Sequence, residues 1–171
     1  VQEFLESKNM SPTNPDGTTN WIGGARFGLA MIGRSDDEDA NALFGIVTSV
    51  SGVIEADKAM DEARANGDAA RMDQVIESRP HDWSYRSSRA VLALAQGDMA
   101  TYQQQLQDFS DIATGQGVPV GRQARQLIED YNTIAVPDTG EACTTKYLDL
   151  TNAYNILYKE TGEQRWYDSA A

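Results

Sequence analysis

Cysteine and histidine are almost absent from this chain, and their scarcity removes whole classes of chemistry. Cys143 and His81 are the sole members of their types. A lone cysteine forms no intrachain disulfide, and it suits a reduced cytosol as well as a bacterial envelope protein built without disulfides, the envelope being slightly favoured. A nucleophilic Cys143 would need a histidine nearby in space, and His81 is the only one. Only five prolines occur, and the long periodic stretches contain none, which favours helices. Lysine is reduced to Lys8, Lys58, Lys146 and Lys159 against ten arginines. The formal charge is −12. Such an acidic surface repels phosphate backbones and anionic headgroups, so nucleic acid and lipid surfaces are poor partners, whereas basic partners, metal cations or a salty environment fit better. No apolar run reaches the length of a membrane span; residues 21–32 come nearest and are broken by Gly23, Gly24, Arg26 and Gly28.

What is present is punctuation. Glycine followed by acid recurs at Gly33-Arg34-Ser35-Asp36, Gly67-Asp68, Gly97-Asp98 and Gly162-Glu163, the glycines standing 34, 30 and 65 residues apart. The last interval is close to twice the others. A period in the thirties is the signature of stacked two-helix units. With 171 residues the chain is long enough for one domain with a core of its own. It starts on Val1 and both ends fall in helical pattern, as expected of a piece cut from a longer protein.

Between the breaks the apolar residues keep helical spacing. Residues 1–20 read as a short helix and a loop, with Asn14-Pro15-Asp16-Gly17 as turn chemistry. The remainder, residues 21–171, reads as one helical domain. Ser35 and Glu38 have the spacing of a capping box before a helix bearing Leu43, Val47 and Val50. Val53, Ala56, Met60 and Ala63 continue at 3-4-3 spacing to Asn66, with Gly52 either a boundary or a soft spot in one long helix. Met72, Val75 and Ile76 follow, then Asp82 as an N-cap for a helix with Trp83, Ala90, Val91 and Leu94 inward. Met99, Tyr102, Leu106, Phe109 and Ala113 make the cleanest amphipathic stripe. Val120, Ala124, Leu127, Ile128 and Tyr131 form another. The last pair sets Tyr147, Leu150, Tyr154, Leu157 and Tyr158 against Trp166 and Tyr167. Strand alternation is confined to Ile134-Ala135-Val136.

The unit from Trp83 through Ala90, the turn Ala95-Gln96-Gly97-Asp98 and Tyr102 resembles a tetratricopeptide-type repeat. Residues 52–80 and 144–171 resemble further copies, and the likeness covers about half of the chain. Where the family places an early aromatic, a leucine and a small residue, this unit has Arg86, Arg89 and Ala90, of which Ala90 fits. The resemblance implies an all-α array of antiparallel helical hairpins coiled into a right-handed superhelix. It also implies a non-enzymatic interaction or scaffold module that binds a protein or peptide, as an accessory subunit of a larger assembly. Tyr85, Arg86, Arg89 and Tyr102 are then the candidate partner-binding residues. Residues 150–170 also look like one hairpin of the (α/α) toroid glycosidases. That likeness implies a carbohydrate or small-ligand domain in which Tyr154, Tyr158, Trp166 and Tyr167 stack on a ligand. The alternative is that these aromatics are core.

No cofactor or catalytic group is expected. Asp36, Asp37, Glu38 and Asp39 are consecutive, whereas calcium ligands alternate around a glycine, so they read as a helix start. Gly115 to Gly121 follows a helix and lacks the lysine of a phosphate loop. His81 reads as an exposed joint residue.

Overall fold

The structure, a computed structural model, describes residues 38–171, with side chains from Ser49 onward. The expected N-terminal helix and loop, the residue 21–32 helix, the Ser35 cap and the side chains of Leu43 and Val47 lie outside the described residues. Seven helices and no strand occur among the described residues. They are α1 (Glu38–Asn66), α2 (Ala69–Ser78), α3 (Trp83–Ala95), α4 (Met99–Gly115), α5 (Val120–Thr133), α6 (Gly140–Thr161) and α7 (Gln164–Ala170). The chain divides into two units, Val1–Lys58 and Ala59–Ala171.

In the described part of the first unit, helix α1 runs through Gly52 without a break. Ser51 is buried there, while Val50 and Ile54 are about half exposed.

The second unit starts in the last turns of α1 with Met60 and Ala63 inward. Its joints explain the glycine-acid breaks. At the first, Gly67 takes φ +63° and the Asp68 amide reaches back to the Ala63 carbonyl at 2.9 Å. Gly97 repeats this with φ +78° and a 2.9 Å bond from Asp98 to Ala93. Only glycine adopts that left-handed conformation without a steric cost. The aspartate then opens the next helix: Asp68 accepts from the Arg71 amide and Asp98 from the Thr101 amide, both at 3.0 Å. Glycine ends one helix and the acid starts its successor within two residues. Asp82 caps α3 through the Ser84 amide, as its position predicts.

Helix α3 is the centre of this unit. Ten of its 13 residues are buried, and it packs against α2, α4 and α5. A helix surrounded on several sides must be apolar or pair its polar groups internally. Its arginines do so in part, through one or two nitrogens each. Arg89 donates to Asp73 of α2 at 2.8 Å, and Arg86 to Asp108 of α4 at 3.3 Å. Trp83 meets Phe109 with ring centroids 5.6 Å apart, closing a cluster with Ala113. A second cluster joins Ala124 of α5 to Ala153 and Leu157 of α6, with Ile128 and Trp166 against it.

Three expectations shift. Tyr147 does not pair with α7 and stands 60% exposed, because that helix has only seven residues and its rings reach Tyr154 and Tyr158 instead. Val120 is exposed as the first residue of α5, ahead of the covered part of its stripe. Residues 134–136 alternate inward and outward in an extended segment, with Ile134 and Val136 buried, but no strand lies beside them among the described residues.

Candidate functional site

Three helices of the second unit leave a groove of about 270 Å³. Leu106, Phe109 and Ser110 face it from α4, Val120, Gln123, Ala124 and Leu127 from α5, and Asp149, Asn152, Ala153 and Ile156 from α6. On both α5 and α6 the lining residues follow i, i+3, i+4, i+7 spacing, which places them along one helix face. The lining is mainly aliphatic, with four polar side chains and Asp149 as its one charge.

Asp149 is held by two tyrosines. Tyr102 Oη donates to its Oδ2 at 2.6 Å from α4, and Tyr131 Oη donates to the same oxygen at 2.5 Å from α5. Both rings are buried. Burial, then the hydrogen bond to Asp149 and its negative charge, push both phenols well above the ordinary tyrosine pKa. They remain neutral donors at any physiological pH. Gln123, by contrast, donates its amide to the Val118 carbonyl at 3.0 Å and helps build the groove wall.

A second cleft, of about 480 Å³, lies at the joint of α2 and α3 around Arg79, His81, Asp82 and Trp83. It is larger, but its polar groups are largely spent on structure. Asp82 caps α3, Ser78 Oγ donates to the Val75 carbonyl, and Gln116 bridges to the His81 carbonyl at 2.6 Å. His81 itself is exposed at the joint.

The expected partner-binding residues do not form one surface. Tyr85 and Arg89 are buried, and Arg86 is tied to α4 through Gln105 and Asp108. Tyr102 alone reaches the groove, through its bond to Asp149. The alternative aromatic set is spent on joining α6 to α7: Tyr154 stacks on Trp166 at 6.1 Å, and Tyr158 meets Tyr167 at 5.5 Å. Arg165 covers the Trp166 ring at 4.4 Å. Among the described residues no group of three or more His, Cys, Asp or Glu side chains is placed to hold a metal ion, and no helix is long and apolar enough to cross a membrane.

Asp149 escaped the sequence reading. The available signal was its register: it stands four residues before Ala153, on the stripe that continues to Ile156 and Leu157. Its two tyrosine partners are 47 and 18 residues away, a separation that no local pattern reveals. No protein-family profile, no curated protein and no solved structure matches this chain.

Proposed function

We propose that this chain is a non-enzymatic interaction module, a tetratricopeptide-like array of antiparallel hairpins in a right-handed superhelix. It serves as an accessory part of a larger assembly, and its α4–α5–α6 groove receives a segment of another protein. The observation that carries this reading is the groove itself. Aliphatic side chains at i, i+3, i+4, i+7 on two neighbouring helices are the counterpart of an amphipathic segment with the same spacing. Val120 and Ile156 remain exposed on its lining, at 63% and 36%. The repeated turns at Gly67 and Gly97 support the array architecture. The glycosidase-like alternative gains nothing from the groove, which has one carboxylate where glycoside hydrolysis uses two.

Site-specific photo-crosslinking in the native host tests the reading. A benzophenone amino acid at Ser110 or Asn152 is expected to capture one protein that the same probe at Lys159, outside the groove lining, does not capture. Ile156→Asp should abolish that product. Equal capture from all three positions, or none from the groove, refutes the docking role.

A further inference from the structure

We propose that Asp149 sets the specificity of the groove by selecting a docking segment that carries one lysine among apolar anchors. The inference rests on the docking role above and names the chemistry of the occupant.

The acids that α3 and its neighbours bury or half-bury are matched internally with arginine. Asp130 has Arg64, Asp108 has Arg86 and Asp73 has Arg89 within ion-pair distance. Asp149 is treated differently. It lines an apolar groove, it is only partly buried, and among the described residues no lysine or arginine lies within ion-pair distance of it. Its contacts are two neutral phenols, which orient the carboxylate and bring no compensating charge. A fixed, uncompensated anion among aliphatic side chains is costly unless an incoming group supplies the cation. The chain's net charge of −12 acts in the same direction, steering basic segments toward the protein.

The hydrogen bonding also distinguishes lysine from arginine. Both tyrosines donate to Oδ2, which uses the two lone pairs of that oxygen. Only Oδ1 remains for a ligand. An arginine fork gains its advantage by engaging both carboxylate oxygens, and that mode is closed here. An ammonium needs a single oxygen. Tyr102 and Tyr131 are therefore positioning residues that set this preference.

A phage-displayed library of random peptides of about twelve residues, roughly three helical turns, is panned on the full chain. Ser110→Trp, which fills the groove from an exposed position, identifies the groove-dependent clones. Those clones are expected to carry a lysine flanked by leucine, isoleucine or phenylalanine, with lysine enriched over arginine. Binding of a selected peptide should fall about tenfold or more on Asp149→Asn. It should fall similarly when the peptide's lysine becomes norleucine, a change that leaves the protein intact. Tyr102→Phe or Tyr131→Phe should narrow the lysine-over-arginine preference, an effect that loss of stability alone does not produce. Groove-dependent clones without lysine enrichment, or indifferent to both substitutions, overturn this inference and leave the docking role standing. A panning that yields no groove-dependent clone overturns both.

Discussion

Replacing Arg64 by methionine should cost more stability at neutral pH than in acid, and the buried network around Asp130 sets the size of the effect. Asp130 has no exposed surface. Its Oδ1 accepts from Ser88 Oγ at 2.8 Å and lies 3.4 Å from an Arg64 nitrogen, while Gln126 donates to Oδ2 at 3.3 Å. The same arginine nitrogen donates to Ser88 Oγ at 2.7 Å, so α1, α3 and α5 meet at one polar point in the second unit. Burial raises the Asp130 pKa, and the hydroxyls of Ser87 and Ser88, the Arg64 charge and Gln126 oppose that rise. Ser87 Oγ acts through proximity, since it makes no hydrogen bond of good geometry.

Removing one partner of a buried pair costs about 3–5 kcal/mol when the remaining charge is fully enclosed. Arg64 retains 16% side-chain exposure and also serves exposed Asp61, so a discounted loss of about 2–4 kcal/mol at pH 7 is expected for Arg64→Met. With a urea m-value of about 2 kcal/mol/M, that moves the midpoint by about 1–2 M. The dependence on pH has a definite sign. A carboxyl whose folded pKa lies above its unfolded value binds more protons when folded, so it lowers stability as pH rises through the folded pKa. Taking away Arg64 lifts that pKa further. The penalty of Arg64→Met should therefore shrink as pH falls toward the ordinary carboxylate value. The double variant Arg64→Met/Asp130→Leu, with neither charge to bury, should recover to within about 1 kcal/mol of the parent. Urea titrations followed by far-ultraviolet circular dichroism at about pH 7 and about pH 5 measure all three chains. An Arg64→Met penalty equal at both pH values, or a double variant worse than the single, would refute the linkage between Arg64 and the Asp130 charge.

Gly97→Ala should destabilise by about 1 kcal/mol through its left-handed conformation, whereas Gly115→Ala, at ordinary helical φ with open space around it, should be neutral or slightly stabilising; thermal unfolding of the pair separates the two roles. Leu157→Ala empties a fully buried site in the α5–α6 cluster and should cost about 2–5 kcal/mol, while Tyr147→Ala on the exposed side of α6 should stay within about 0.5 kcal/mol. Equal effects from those two would show that α6 buries a different face.

The helices were legible because their signals are local. A stripe at 3-4 spacing, a glycine that ends a helix and an aspartate that starts the next all act within a few residues. The joints at Gly67, Asp82 and Gly97 accordingly fall where the sequence places them. Gly52 shows the limit of such punctuation. Glycine costs about 1 kcal/mol inside a helix, which one long helix absorbs, so α1 passes through it. The sequence also misjudges which polar residues are on offer. Arg86 and Arg89, candidate partner-binding residues by resemblance, each pair with an aspartate of a neighbouring helix. Their partners are 22 and 16 residues away, so only tertiary packing reveals the pairing.

The groove was illegible for a related reason, and it bears on where function can reside in this fold. A stripe residue is inward by period, but period does not distinguish a covered inward face from one that stops short of its neighbour. On the groove face of α6 Ile156 keeps 36% exposure, whereas Leu157, one residue on and about 100° round the helix, has none. Asp149 lies on that face, where an apolar residue would have been the cheaper choice for packing. Two buried tyrosines from different helices hold it there. The fully buried Asp130, by contrast, has an arginine within ion-pair distance. Asp149 receives two neutral donors on one oxygen and no arginine, and that contrast is the physical reason to seek its cation on another molecule.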